Sequence, residues 1–160
     1  MSAPRAEGKV ALITGSAGGI GAAAARRLAD EGAHLLLTDT DAAGAERIAK
    51  ALGSRASARA HDVTSEDDWR AVVSWALERH GRIDILLNNA GVFLAAPLAE
   101  TSLEAFRGII DVNVVGVFLG MRAVAPAMTE QQGGSMINMS SVAGLTPRPS
   151  STSPASRAGT

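Results

Sequence analysis

The chain contains no cysteine, which excludes a disulfide, a thiolate metal site and a cysteine nucleophile. It contains no tyrosine either, so no phenol is available for acid–base work. Neither sign of charge is in excess: 15 Lys and Arg against 16 Asp and Glu leave a formal charge of −1. That gives no electrostatic footprint for nucleic acid or for an anionic membrane. No uninterrupted apolar run approaches the roughly 20 residues that span a bilayer. The polar start, Met1 to Gly8, lacks the apolar centre of a signal peptide, and a cytoplasmic location is the default expectation. What is present is 160 residues, 46% apolar and 19% charged, the composition of one globular domain with a sizeable core.

Strand and helix patterns alternate along the chain. Apolar runs at Lys9–Thr14, His34–Asp39, Ile83–Leu87 and Ser135–Met139, with a weaker strand pattern at Ala56–Asp62, predict five strands. Between them, helical spacing predicts helices over 19–30 and 42–52, one starting at Ser65 and closing at His80–Gly81, and a long one over 103–128. Such alternation implies a doubly wound α/β fold of Rossmann type, a parallel sheet with flanking helices and strand order 3-2-1-4-5. Residues 1–8 are expected to be a flexible lead, 9–145 the folded Rossmann-type domain and 146–160 an irregular tail. That last stretch is mostly Ser, Thr, Pro and Arg, with no apolar residue larger than alanine.

The stretch Thr14–Gly21, T-G-S-A-G-G-I-G, joins the first strand to the first helix. Gly15, Ser16, Gly19, Ile20 and Gly21 lie where a strand must turn sharply. A helix start there offers N–H groups and a positive dipole end to a pyrophosphate. Asp39, at the end of the second strand, lies 24 residues beyond Gly15. An acid in that place hydrogen-bonds a ribose 2′-hydroxyl and repels a 2′-phosphate, which favours NAD over NADP. Read alone, Asp39 is also an ordinary turn acid, and Asn88 and Asn89 are ordinary turn residues. Asn113, inside an apolar helix, reads by itself as an amide bonded to backbone, and Ser141 as a cap or turn serine.

Five motifs in order give these residues a common meaning: Thr14–Gly21, Asp62-Val63, N-N-A-G at Asn88–Gly91, V-N-V-V-G-V-F-L-G-M at Val112–Met121, and M-I-N-M-S-S-V-A-G at Met136–Gly144. With them the chain resembles the short-chain dehydrogenase/reductase family, in particular its bacterial hydroxysteroid and other secondary-alcohol dehydrogenases, over about residues 9–144. The resemblance implies hydride exchange between a nicotinamide cofactor and a small-molecule alcohol or ketone. It also implies roles for individual residues. Gly15, Gly19 and Gly21 hold the pyrophosphate, Ile20 packs against it and Ser16 belongs to the same cofactor site; Asp62 and Val63 form the adenine pocket, and Asn88, Ala90 and Gly91 flank the adenosine ribose. Asn113 distorts its helix and holds a relay water, and Ser141 polarises the substrate.

The family's tyrosine and its lysine four residues later match Ser153 and Arg157 here. A phenol of pKa about 10 can be brought toward neutrality by a nearby cation, whereas a serine hydroxyl cannot. Loss of a positioned acid/base costs on the order of 10²–10⁴ in rate. Arginine's planar fork is no substitute for an ammonium, and Pro154 fits only the first turn of a helix. The family continues beyond the point corresponding to Thr160, which implies a C-terminally truncated member whose sheet is incomplete on that side. The implied activity is therefore cofactor binding with impaired catalysis. The helix over 103–128 is expected to show an apolar stripe (Leu103, Phe106, Ile110, Val117, Met121, Val124) and to support a homo-oligomer. The alternatives are a non-catalytic dinucleotide-binding or interaction module, and the product of a truncated or frame-shifted gene.

Overall fold

A computed structural model describes residues 4–141 of the chain. The expected tail over 146–160, with Ser153 and Arg157, lies outside the described residues, as does the end of the fifth motif.

Five strands form one parallel sheet, β1 Val10–Thr14, β2 His34–Asp39, β3 Ala56–Ala60, β4 Ile85–Asn88 and β5 Ser135–Asn138. Their order is β3-β2-β1-β4-β5, as expected. β1 is buried along its whole length, which is why its sequence is continuously apolar rather than alternating. Register then assigns side chains to faces. Leu12 lies opposite Leu36 and Leu86, and this face packs on Trp69, Val72, Ala76, Leu119, Val124 and Met128. Ala11 and Ile13 lie beside Leu35 and Leu37 on the other face, against Ala25 and Ala49.

The helices are α1 Gly19–Asp30, α2 Ala42–Leu52, α3 Glu66–His80, α4 Leu103–Ile110 and α5 Gly116–Glu130. Local chemistry sets their ends. The side chains of Asp41, Ser65 and Ser102 accept hydrogen bonds from the N–H groups of Gly44, Asp68 and Ala105, each satisfying a donor that the first turn leaves open. Gly81, left-handed at φ 71°, closes α3.

Three expectations shift. The third strand ends at Ala60, not Asp62. The fourth begins at Ile85, because the Gln131 side chain takes both backbone groups of Ile83. The long helix is broken by a π segment, Asp111–Val115, and its wider turn changes the helical phase. Val124 is consequently fully buried against the sheet, and the exposed stripe runs through Leu103, Phe106, Ile110, Val114 and Phe118; Val117 and Met121 are half-buried. The span Leu103–Glu130 is long and apolar enough to cross a bilayer by length and composition, but its Leu119, Val124 and Met128 face covers the sheet. Before β1, Arg5 and Ala6 donate backbone N–H bonds to Glu31 and Gly8 to Gly32, and Ala6 is buried.

Candidate functional site

β1 and β4 are neighbours whose crossovers leave the sheet in opposite directions, and ligands of open α/β sheets bind beyond the strand ends at such a point. A cleft of about 420 Å³ lies there, lined by Gly15, Gly18, Gly19, Ile20, Asp39, Thr40, His61, Asp62, Val63, Asn89, Ala90, Gly91, Val92 and Val112. Eight of the residues expected from sequence come together in it: Gly15, Gly19, Ile20, Asp39, Asp62, Val63, Ala90 and Gly91.

Thr14 fixes the floor. Its buried hydroxyl accepts the N–H groups of Asn89 and Ala90, both at 3.0 Å, and donates to the Leu87 carbonyl at 3.4 Å. The Asn89 amide returns the tie, donating to the carbonyls of Thr14 and Gly15 at 3.0 and 2.9 Å. The end of β4 is thereby held against the glycine turn. Gly15 has φ 65°, and a Cβ there would lie 2.7 Å from the Ala90 Cα, so both backbone angle and space demand glycine. Gly19 has φ 53° with open space where a side chain would stand. Among the described residues no side-chain bond caps the start of α1, whose N-cap is Gly18.

Asp39 is held in place from both oxygens: Oδ2 accepts the Ala17 N–H at 2.9 Å and Oδ1 the Asp41 N–H at 3.0 Å. Asp62 Oδ1 accepts the Thr64 N–H and hydroxyl at 2.9 and 2.8 Å, while the Asp62 N–H donates to Asp68. Val63 packs against Gly116, where a Cβ would approach within 2.8 Å, and its carbonyl accepts the Trp69 indole N–H at 2.9 Å. Among the described lining residues there is no lysine or arginine. The charges that face the cleft are thus the two carboxylates.

Three expected residues do not line the cleft. Ser16 is fully buried, its N–H and hydroxyl both on the Thr38 carbonyl at 3.2 Å. Gly21 sits beneath the turn against the Gly15 carbonyl. Asn88 is buried and donates to Asn138 at 2.9 Å. Gly18, Thr40, His61, Asn89, Val92 and Val112 line it without having been singled out as cofactor residues; Gly18, Asn89 and Val112 lie within quoted motifs, whereas nothing in the sequence pointed to Thr40, His61 or Val92. His61 is buried against the edge of Trp69. Burial pushes its pKa down to about 4, against the opposing pull of Asp68 and Asp62.

A second cleft of about 540 Å³ adjoins the first through Ile20, Asn89, Ala90, Gly91 and Val92 and brings Asn113 and Ser141 together with Phe93, Val117 and Met139. The Asn113 amide is committed to backbone: Oδ1 accepts the Val92 N–H and Nδ2 donates to the Val92 carbonyl, each at 2.8 Å. Asn113 lies within the π segment, so the local helix distortion expected from the resemblance is present.

The family model described as short chain dehydrogenase matches residues 9–159. Among curated proteins, the chain is 39% identical to a 3-beta-hydroxysteroid dehydrogenase of Comamonas testosteroni over 143 residues, covering 89% of this chain and 56% of that one. It is 42% identical to a trans-4-hydroxycyclohexanecarboxylate dehydrogenase of Sinomonas cyclohexanicum, covering 86% and 56% respectively. It is also 42% identical to the sex determination protein tasselseed-2 of Zea mays, with 88% and 44% covered. The chain therefore spans about half the length of these relatives. With the family model matching nearly its whole length and five motifs converging on two joined clefts, the chain belongs to the short-chain dehydrogenase family.

Proposed function

We propose that residues 9–145 form an NAD-binding domain whose ancestral reaction is hydride exchange with a secondary alcohol or ketone, and that this 160-residue chain binds the cofactor but turns over poorly. The observation that carries the reading is the pairing of Asp39 with the open glycine turn in one cleft. An added Cβ at Gly18 or Gly19 would meet no atom of the described residues within 4 Å beyond its own chain neighbours, so the main chain is approachable there. The residues present fit a nicotinamide dinucleotide: the uncapped start of α1 for the pyrophosphate, Asp39 for the adenosine ribose and Asp62 with Val63 for adenine. When bound, that group supplies the hydride acceptor or donor. Asp39, already fastened by two backbone amides, cannot swing away from a 2′-phosphate, which selects NAD. Asn113 and Ser141 stand on the substrate side.

Poor turnover follows from Ser153 at the family's tyrosine position. A serine hydroxyl does not reach the proton-exchange range that a cation-assisted phenol reaches. Fluorescence titration tests the binding half, with NADH expected to bind at least about tenfold more tightly than NADPH, a difference of about 1.4 kcal/mol. Equal or tighter NADPH binding would overturn the cofactor assignment. Absorbance at the reduced-nicotinamide band, with NAD and a panel of secondary alcohols, tests the catalytic half; ordinary dehydrogenase turnover would defeat it. A cytoplasmic location accompanies this reading.

A second reading draws on the exposed stripe Leu103, Phe106, Ile110, Val114 and Phe118. A contiguous apolar face of this kind marks an interface or an aggregation liability. In this reading the chain is an interaction module that pairs with itself or with a full-length relative. Size-exclusion chromatography of the chain alone and mixed with such a relative decides it, and a purely monomeric elution with no co-elution rejects it.

A further inference from the structure

His61 has no part in the sequence motifs, yet it grips both residues that end β2. Its N–H donates to the Asp39 carbonyl at 3.0 Å. Its Nδ1 lies 3.0 Å from the Thr38 hydroxyl, which in turn lies 3.3 Å from the Ile13 carbonyl on β1. The Thr38 hydroxyl has one proton. Donated to Ile13, it leaves only a lone pair for His61, so Nδ1 carries the imidazole hydrogen and Nε2 is bare. The environment favours the same tautomer. Nε2 is buried with no hydrogen-bond partner among the described residues, and a buried orphan donor is rarer in folded proteins than an under-used acceptor. The three groups thus form one directed chain, His61 Nδ1–H to Thr38 Oγ1–H to the Ile13 carbonyl.

That chain ties β1 and β2 to the residue that follows β3, at the rim of the cleft. Thr38 is also the anchor of the glycine turn, since its carbonyl receives both the N–H and the hydroxyl of Ser16. The next residue, Asp39, holds the Ala17 N–H. On the other side of His61 come Asp62 and Val63, which line the adenine end. We infer that His61 is the positioning residue of the adenosine half of the cleft, setting Asp39 and the glycine turn at a fixed distance from Asp62 through the Nδ1–H donated to Thr38. It lines the cleft, and its part in binding is exerted through its bonds to Thr38 and Asp39. The inference rests on the reading of this cleft as a dinucleotide site and adds what controls its adenosine end.

The test compares His61→Leu, which removes the donor, with His61→Asn, whose amide nitrogen reaches about the place of Nδ1. Binding of ADP-ribose and of nicotinamide mononucleotide is measured on the whole chain. The expected result is that His61→Leu weakens ADP-ribose about tenfold or more while His61→Asn stays within about threefold, the factor of ten being the binding equivalent of one lost hydrogen bond. Nicotinamide mononucleotide binding is unchanged in both. Unaltered ADP-ribose affinity in His61→Leu would overturn the inference, as would equal losses in the two variants or losses shared by both ligands, which are the mark of general unfolding. A wild-type chain that binds neither ligand rejects the dinucleotide reading instead. Nitrogen-15 NMR of the ligand-free wild type then still decides the hydrogen-bond chain: Nδ1–H supports it and Nε2–H refutes it.

Discussion

At the scale of single residues, the cleft depends on hydroxyls as much as on glycines. Thr14 is the clearest case, because one buried oxygen accepts two amides from the end of β4 and donates to a third backbone group. Thr14→Val keeps the shape of the side chain and leaves the Asn89 and Ala90 N–H groups without that acceptor. The expected cost is about 2–3 kcal/mol, read as a fall in the urea midpoint with an unchanged slope. Thr14→Ser, which keeps the oxygen, recovers most of it. The glycine turn and Asp39 were legible in the sequence because their spacing itself implies chemistry, whereas Asp62 was reached only through the family resemblance. Thr14, Asn89 and His61 act through partners 23 to 76 residues away, and nothing in local spacing reveals such a bond before the strands are laid side by side.

At the scale of elements, strand and helix positions followed from periodicity, while the break in the long helix did not. Its apolar pattern continues through Asp111–Val115, and what widens the turn is tertiary. Asn113 within that segment is clamped to both backbone groups of Val92. Asn113→Leu should release the Val92 loop and cost roughly 1–3 kcal/mol for the unsatisfied polar groups. Hydrogen exchange reads this directly, with faster exchange expected at the Val92 amide; unchanged protection there would refute the clamp. The same π turn rotates α5 so that Phe118 rather than Val124 extends the exposed stripe of α4. If that stripe is an interface, sedimentation shows concentration-dependent association, and Phe106→Glu together with Phe118→Glu abolishes it. A monomeric wild type at high concentration would reject the interface.

At the scale of the whole molecule, two buried ionisable groups tie stability to pH with the same sign. His61 has its pKa depressed by burial from 6.5 to about 4. Above pH 6.5 folded and unfolded chains both hold it neutral; as the pH falls from there toward 4, only the unfolded chain takes up the proton. Stability is lost across that window, by roughly 3 kcal/mol for a shift of this size. Asp84 acts lower. Burial raises its pKa, but hydrogen bonds from Arg82, the Val10 N–H and Lys9 outweigh that and bring it down to about 2 from 3.8. Its contribution is complete above pH 4 and disappears toward pH 2, when the ties from β1 and from Arg82 lose their carboxylate. His80, lowered by burial and by the neighbouring His34 and Arg79, adds to the first window. Thermal melts from pH 7.5 to 3 should therefore fall in two stages. His61→Asn removes most of the upper stage and leaves the lower one intact, while Asp84→Asn does the reverse and lowers the melting temperature at neutral pH as well. A wild-type profile flat between pH 6.5 and 4, or one unchanged by His61→Asn, would mean that His61 titrates normally and is not held neutral between Thr38 and Trp69.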